Sequence, residues 1–200
     1  IEDDVFGGLS AGKMIPSLKS LDNTGRVIYV NSLSKTLDSR LRIGWLLSDG
    51  FQKQIEAHMI CENMGSLNLT QSATGEFLTT GKYRTHVDKM KRFYQQNLKQ
   101  FSAKLTRALD QYESLKGQYH LSRPNGSFLT WLTLPTHANS HQIYLECKNH
   151  KINILPGTVF ATDEQYIHCI RLSVANFKDN AQWDKGIQKL AEIIYKNVHR

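Results

Sequence analysis

The sequence predicts an α/β protein in which short strands and helices precede a compact α+β unit. Two β-branched and aromatic runs, "RVIYVNSL" (26–33) and "RIGWLLSD" (42–49), are typical of buried strands, and a helical segment follows around 50–64. Apolar residues then recur at three- and four-residue steps from Val87 to Tyr112, which predicts one long helix with an apolar face. Beyond it, short strand patterns alternate with amphipathic helical patterns, which favours an α+β arrangement.

The first third of the chain is predicted to be a parallel-sheet α/β segment. Residues 7–26 are rich in glycine and are predicted to form a loop, with a turn at "DNTG" (22–25). The first strand of the pair ends in the polar stretch "NSLSKTLDSR" (31–40), which then leads to the second strand. A loop is predicted at "GSLNLT" (65–70), after the helical segment.

The elements of the last half follow in a regular order. Two strands over 118–135 are predicted to be joined by a Pro-Asn-Gly-Ser turn. A helix is predicted over 140–150, strands over 152–160 and 167–175, and a closing amphipathic helix over 180–198.

The composition limits the class of protein. The chain has 200 residues, of which 40% are hydrophobic, and its mean hydropathy is −0.43. No apolar run approaches the roughly 20 residues of a membrane helix, so we expect a soluble protein without a membrane partner. The three cysteines are widely spaced and match neither a disulfide framework nor a metal site, which favours a reducing cytoplasm. A net charge of +7 suits an anionic ligand, nucleic acid or simply solvated basic helix faces.

The first residues, "IEDDVF", suggest that more chain precedes them. The sequence begins without a methionine, and Ile1 leads directly into a strand-like pattern. We therefore expect this chain to be the downstream part of a longer polypeptide.

Lys35 is the first candidate functional residue. It follows the predicted strand 26–33, lies beside Ser32 and Ser34, and precedes Arg42. A lysine here is either a solvated side chain at a strand end or an amine in a cleft that forms a Schiff base with a carbonyl compound. The hydroxyls and the guanidinium favour the second interpretation, because they suit an oxyanion such as phosphate. A ligand with both an aldehyde and a phosphate suggests pyridoxal 5'-phosphate (PLP).

The acidic pair Asp3 and Asp4 could complete such a site. PLP acts as an electron sink when a carboxylate keeps its pyridine nitrogen protonated. Both residues follow what looks like the end of a strand, and one further strand separates them from Lys35. The alternative is that the two acids merely begin a loop.

The arrangement of these motifs resembles a known family. Ser32-Leu33-Ser34-Lys35, with Arg42 seven residues after the lysine and Gly44 beyond it, resembles the S-x-S-K…R-x-G signature of fold-type I PLP-dependent enzymes, the class I aminotransferases and their relatives. "PSLKSLDNTGRVIYVNSLSKTL" resembles the aminotransferase-like domain of GntR-type transcriptional regulators of the MocR subfamily. "GKYRTHVDKM", "PNGSFLTWLTLP", "ILPGTVF" and "IRLSVAN" resemble later segments of the same family.

This resemblance covers the whole chain and implies its architecture. It implies the C-terminal part of a fold-type I aminotransferase: the end of the large-domain sheet, a long interdomain helix and an α+β small domain. Residues 1–84 would be a remnant of the PLP-binding large domain. Residues 85–200 would be the interdomain helix and the C-terminal small domain.

The resemblance also implies roles for the residues around Lys35. Lys35 corresponds to the catalytic lysine that binds the cofactor covalently as an aldimine. Asp3 corresponds to the partner of the pyridine nitrogen. Ser32 and Arg42 correspond to phosphate ligands, and Ser34 is expected to assist them.

Arg171, in "IRLSVA", corresponds to the arginine that holds the α-carboxylate of an amino-acid or 2-oxo-acid ligand bidentately. Without the resemblance, an edge-strand salt bridge would be the simpler interpretation. No metal site is expected, because His137 and His141, although four residues apart, have no acidic partner nearby and are interpreted as surface residues.

The sequence departs from the family pattern at three places, the first of which is Asn31, where a small residue is common. Phe6 stands where relatives often have a tyrosine, and Ser39-Arg40 stands where they usually have Pro-Gly. The family's phosphate loop, its ring-stacking aromatic residue and its asparagine near the phenolic oxygen would all lie upstream of Asp3. The isolated chain is therefore expected to have an incomplete active site and weak or no transaminase turnover.

Three functions remain open on these grounds. The first is the effector-sensing part of a MocR-like regulator, which would bind DNA only through an N-terminal domain outside these 200 residues. The second is part of a free-standing class I aminotransferase, in which Lys35 exchanges the amine and then acts as a general base. The third is a degenerate domain kept for dimer packing. A homodimer is expected for the full-length protein, because fold-type I sites usually lie at a dimer interface.

Overall fold

The computed structural model describes residues 1–12, 15–63 and 68–199. The chain divides into two compact units, Ile1–Arg92 and Phe93–Arg200. The division of the chain into a PLP-binding part (1–84) and an interdomain helix with a small domain (85–200) stays a prediction.

The first unit contains a three-stranded mixed sheet. Its strands are β1 (Glu2–Asp3), β2 (Tyr29–Ser32) and β3 (Gly44–Leu47), in the order β1-β2-β3. β1 is parallel to β2, as predicted, but β3 is antiparallel to β2, so the prediction of a wholly parallel sheet is wrong for this strand. The short connection over residues 33–43 favours the antiparallel direction, because parallel crossovers usually have about a dozen residues or more.

The turn predicted at "DNTG" is confirmed and is organised by Asp22. Its carboxylate accepts hydrogen bonds from the backbone N–H groups of Thr24 (2.9 Å) and Val27 (2.8 Å) and from the Thr24 hydroxyl. These bonds to the charged form lower the pKa of Asp22 to about 2. Gly25 takes a φ of +70°, a conformation that glycine adopts without steric cost.

The helices of the first unit are α1 (Leu18–Leu21), α2 (Gln52–Asn63), α3 (Asn68–Thr79) and the start of α4 (Lys82–Leu109). The helical segment predicted around 50–64 is confirmed, as is the long helix predicted from Val87, although it ends at Leu109 and not at Tyr112. Of the loop predicted over 65–70, residues 65–67 lie outside the described part of the chain. Residues 68–70 begin α3, so the loop prediction is wrong there.

The second unit is an antiparallel sheet with helices. Its strands are β4 (His120–Leu121), β5 (Leu129–Thr133), β6 (Leu155–Pro156) and β7 (Cys169–Ser173), in the order β4-β5-β7-β6. The helices α5 (Ser140–Asn149) and α6 (Ala181–Val198) confirm the predictions for 140–150 and 180–198. The predicted strand 152–160 is shorter than expected, because Gly157–Phe160 forms a 3₁₀ turn after β6.

The core of the second unit lies between its sheet and its helices. Leu105 and Leu109 of α4, Leu132 of β5, Ile170 of β7 and Ile194 of α6 are all fully buried. Alternation along the strands places Leu132 and Ile170 on this buried face. Arg171, which stands between Ile170 and Leu172 on β7, therefore points to the opposite face of the sheet.

The first unit buries much less apolar surface than the second. Leu9, Leu33 and Val87 are its buried hydrophobic residues among those the structure describes. All four residues of β3 are exposed, and Trp45 retains 40% of its accessible surface. Within the described ranges, no helix combines the length and apolar character needed to cross a membrane.

Candidate functional site

The carboxyl ends of the parallel strands β1 and β2 meet at one edge of the first unit's sheet. Asp3 pairs with Val30 in the register of the two strands, and Ser32 ends β2 two residues further on. In open α/β sheets this edge is the usual position of ligand sites. The sheet therefore brings the predicted residues Asp3 and Ser32 to the same edge, where Ser34 and Lys35 follow.

Lys35 lies on a single turn of π-helix that spans Ser34–Asp38. Such turns are rare and are often found at functional sites. The Lys35 side chain is half-buried, and its Nζ lies 5.5 Å from the centroid of the Phe6 ring. Phe6 follows β1 and belongs to the segment that carries Asp3, so the lysine side chain is directed toward that strand end.

The two serines beside Lys35 bind each other. Ser32 Oγ lies 2.8 Å from Ser34 Oγ and 3.0 Å from the carbonyl oxygen of Ile43, and it also accepts a hydrogen bond from Ser34 N. A hydroxyl has one proton, so Ser32 donates to Ile43 when Ser34 donates to Ser32. The Ile43 carbonyl also accepts from Leu33 N at 3.1 Å, which ties the residue after Arg42 to the end of β2.

Arg42 has the backbone conformation of a strained residue. Its φ and ψ are 55° and 38°, in the left-handed region that non-glycine residues seldom occupy. Its side chain is exposed, and within residues 1–12, 15–63 and 68–199 its guanidinium makes no hydrogen bond or ion pair. The neighbouring Arg40 differs, because it forms an ion pair with Asp38 at 2.7 Å. Backbone strain at an available cation is a common feature of ligand sites.

The two acids at the end of β1 have different surroundings. The Asp4 carboxylate accepts a hydrogen bond from the Tyr29 hydroxyl at 2.7 Å, and the Asn31 amide donates to the same hydroxyl at 2.7 Å. Burial, and then the bond to Asp4, raise the pKa of Tyr29. Asp3 is exposed and accepts only a local bond from Val5 N at 3.1 Å among the described groups. The Asp4 carboxylate is thus engaged by a side chain of β2, whereas the exposed Asp3 carboxylate is the more available of the two to a ligand.

The network around Asp4 was not predicted from the sequence. Asn31 Oδ1 accepts from Ser32 N at 2.6 Å, so a chain of bonds runs from Asp4 through Tyr29 and Asn31 to Ser32. Tyr29 and Asn31 are two residues apart on β2 and therefore lie on the same face of the strand. This spacing is the one sequence signal that could have revealed them.

Arg171 lies in the second unit, on β7, in an aromatic environment. It pairs with Trp131 of β5 and Leu155 of β6 in the sheet register. Its guanidinium carbon lies 4.8 Å from the centroid of the Phe160 ring, which is within the range of a cation–π interaction. The Phe160 ring in turn packs edge-to-face on Trp131, with centroids 5.3 Å apart. In the described ranges the guanidinium has no carboxylate partner, so the salt-bridge interpretation of Arg171 is not supported.

Histidine and cysteine side chains are further candidates for metal binding or nucleophilic chemistry. His137 and His141 are exposed, and His137 Nε2 donates to the carbonyl oxygen of Val198 at 3.0 Å. In the part of the chain that the structure describes, no cluster of metal-ligating side chains is present. The three cysteines are free thiols, and burial raises the pKa of Cys147 to about 12.

The comparison that decides the family is a match over most of the chain. Residues 1–190 match the model of the aminotransferase class I and II family. The chain belongs to this family. The fold expected from the resemblance is confirmed: it is the C-terminal part of an aminotransferase fold, with mixed sheet, long helix and α+β unit.

The curated relatives of this aminotransferase-family chain include regulators. It is 30% identical over 203 residues to the HTH-type transcriptional regulator YdfD of Bacillus subtilis, with 100% of this chain and 40% of the relative covered. It is 28% identical to the HTH-type transcriptional regulator NorG of Staphylococcus aureus (98% and 42% covered). It is 26% identical to the HTH-type transcriptional regulator YjiR of Escherichia coli, with 98% of this chain and 40% of the relative covered. The chain thus spans about two fifths of these relatives and matches their C-terminal part.

Solved structures with the same fold are aminotransferases. The multiple substrate aminotransferase of Thermococcus profundus superposes with a TM-score of 0.85 at 22% identity, covering 100% of this chain and 48% of that one. The kynurenine aminotransferase of Pyrococcus horikoshii, solved in complex with PMP, gives 0.84 at 26% identity, covering 98% and 47%. This chain is therefore an aminotransferase-like domain that corresponds to about half of such an enzyme.

Proposed function

We propose that this chain is the PLP-binding, effector-sensing part of a GntR/MocR-type transcriptional regulator. The observation that carries the cofactor assignment is Lys35, held on a π-turn at the carboxyl edge of the sheet with an available arginine, Arg42, on the same connection. The regulator assignment is supported by the similarity of nearly all of this chain to the C-terminal part of HTH-type transcriptional regulators.

The residues around Arg42 fit a phosphate group. A phosphate dianion prefers a planar guanidinium and short hydroxyl donors. Arg42 has no ion-pair partner among the described residues, and the hydroxyls of Ser32 and Ser34 lie within 2.8 Å of each other on the preceding turn. Both protons can rotate toward an oxyanion that approaches the end of β2.

The residues around Lys35 fit the remainder of the cofactor. PLP supplies an aldehyde, with which an amine condenses with loss of water, and a pyridine ring that accepts electrons when its nitrogen is protonated. Lys35 presents the amine over the Phe6 ring, at the strand end that carries Asp3. Asp3 is exposed and is the carboxylate available to hold a proton on the pyridine nitrogen.

We assign Arg171 to the carboxylate of an amino-acid or 2-oxo-acid ligand. A guanidinium binds a carboxylate through two parallel N–H···O bonds. The Arg171 guanidinium lies over the Phe160 ring, with its carbon 4.8 Å from the ring centroid, and no carboxylate of the described residues forms an ion pair with it.

The proposal includes the partners and the location of the protein. We propose a homodimer, because fold-type I sites usually lie at a dimer interface, and contact with DNA only through another domain of the same polypeptide. Free, widely spaced cysteines support a reducing, cytoplasmic location. Residues 1–84 would belong to the PLP-binding domain, and residues 85–200 would form the interdomain helix and small domain.

The alternative is a class I aminotransferase that moves an amino group between an amino acid and a 2-oxo acid. The likeness to the kynurenine aminotransferase of Pyrococcus horikoshii favours it. In that case Lys35, once released from the cofactor, would remove the proton from the α-carbon of the substrate. In the regulator, ligand binding would instead shift a conformational equilibrium.

Turnover separates the two functions. The protein expressed at the full natural length of its gene is loaded with PLP and mixed with a panel of amino acids, with and without 2-oxo acids, while the visible absorbance of the cofactor is followed. The regulator predicts that one or a few amino acids change the spectrum without sustained product formation, and that Lys35→Ala abolishes the change. Sustained formation of a new amino acid over many turnovers would instead establish the aminotransferase.

A further inference from the structure

The residue after Lys35 is held by two side chains of a distant helix. Thr36 is 5% exposed. Its hydroxyl lies 2.9 Å from the Tyr83 hydroxyl, and its carbonyl oxygen lies 2.9 Å from His86 Nε2. Tyr83 and His86 are three residues apart in the first turns of α4, and therefore lie on one face of that helix.

The second bond has His86 as its donor. A carbonyl oxygen only accepts, so His86 Nε2 must carry a proton. Both the neutral Nε2–H tautomer and the imidazolium satisfy this condition.

Gly8, near the start of the chain, also lies close to the Thr36 side chain. A Cβ built on Gly8 would lie 2.9 Å from Thr36 Cγ2, closer than such contacts occur in proteins. The threonine methyl has little freedom to withdraw, because a β-branched side chain is stiff at χ1. Gly8, Tyr83 and His86 thus restrict both the side chain and the backbone of Thr36.

We propose that Tyr83 and His86 are positioning residues for Lys35, and that they form a clamp that sets the direction in which its amine meets the PLP aldehyde. A π-turn is a local distortion that depends on its surroundings. The clamped carbonyl belongs to Thr36, the residue directly after Lys35 on this turn. Both residues act through Thr36 in this proposal, not through a contact with the cofactor. The inference rests on the proposed attachment of PLP to Lys35 and adds to it the reason why the π-turn has one orientation.

The test uses four single variants of the protein at the full natural length of its gene. Tyr83→Phe removes one oxygen and keeps the ring, which packs on Phe77 with centroids 6.4 Å apart. His86→Ala removes the donor to Thr36, and His86→Gln restores an amide N–H at a similar distance. Arg84→Ala changes an exposed neighbour on α4 and serves as the matched control.

Tyr83→Phe and His86→Ala should each weaken PLP binding by roughly 3- to 10-fold, the effect of losing one hydrogen bond. Each should also shift the pH midpoint of the bound cofactor's visible absorbance. His86→Gln should restore the affinity to within about 2-fold of the starting protein, since the bond is restored. Arg84→Ala should leave the affinity and the spectrum unchanged.

Three results would overturn the inference. Unchanged affinity and spectrum in Tyr83→Phe would do so, whatever happens to the folding of His86→Ala. A lower melting temperature with an unchanged cofactor spectrum would indicate a purely structural role. Equal losses in His86→Gln and His86→Ala would show that the hydrogen bond is irrelevant. If the starting protein carries no PLP on Lys35, the proposed function itself fails, and that result is distinct from the others.

Discussion

Replacement of Arg42 by glycine should weaken cofactor binding and stabilise the protein without cofactor. Arg42 has a φ of 55°, and the left-handed conformation costs a non-glycine residue about 1–2 kcal/mol. Glycine removes that cost but loses more backbone entropy on folding, by about 0.5–1 kcal/mol. The Arg42 guanidinium makes no ion pair within the described ranges, so its removal sacrifices no bond there. The expected net gain is about 0.5–1 kcal/mol.

The effect of Arg42→Gly on the cofactor has the opposite sign. A hydrogen bond to a charged group contributes about 1.5–3 kcal/mol, so loss of the guanidinium should raise the Kd for PLP by about 10- to 100-fold. Arg42→Lys keeps the charge and the backbone strain but loses the planar donor pair. It should give an intermediate Kd and no gain in stability.

The assay compares the melting temperature of the cofactor-free protein with the Kd from titration of PLP absorbance. A gain of 1 kcal/mol raises the melting temperature by about 2–4 °C in a protein of this size range. Loss of stability in Arg42→Gly would contradict the strain argument. An unchanged Kd in both variants would contradict the assignment of Arg42 to the phosphate.

Three further outcomes are expected. Phe160→Leu removes the ring that lies against the Arg171 guanidinium. It should weaken binding of the amino-acid ligand by about 2- to 5-fold and leave PLP affinity unchanged, as measured by spectral titration. A loss of PLP affinity would contradict the assignment of Arg171. Leu105→Ala leaves a cavity at a fully buried position and should lower the free energy of unfolding by about 2–5 kcal/mol in urea titrations. A loss under about 1 kcal/mol, as expected of a surface site, would contradict the burial of Leu105 in the core. Cys147, whose pKa is raised by burial to about 12, should stay protonated and unlabelled by iodoacetamide up to pH 10, while the exposed Cys61 is alkylated in the folded protein; labelling of Cys147 without unfolding would refute this.

The fold was predictable where the pattern was local. The long helix follows from the apolar spacing between residues 87 and 109, and the closing helix from the same periodicity. The direction of β3 was not predictable, because the connection over 33–43 lies near the lower limit for a parallel crossover and the apolar character of "GWLL" suits either direction.

The candidate site was predictable in part for the same reason. Ser32, Ser34, Lys35 and Arg42 lie within eleven residues, so a motif can reveal them. The clamp on Thr36 depends on residues 47 and 50 positions away, which no local pattern connects. Contacts of that range arise only when α4 packs on the π-turn.

The most direct test of the account is the location of bound PLP. The protein at its full natural length is incubated with PLP, reduced with borohydride, digested and analysed by mass spectrometry, with Lys35→Ala as the matched control. The account predicts a pyridoxyl group on Lys35 and its loss in the variant. Labels scattered over surface lysines, with the same total in Lys35→Ala, would contradict the assignment of this edge of the sheet as the cofactor site.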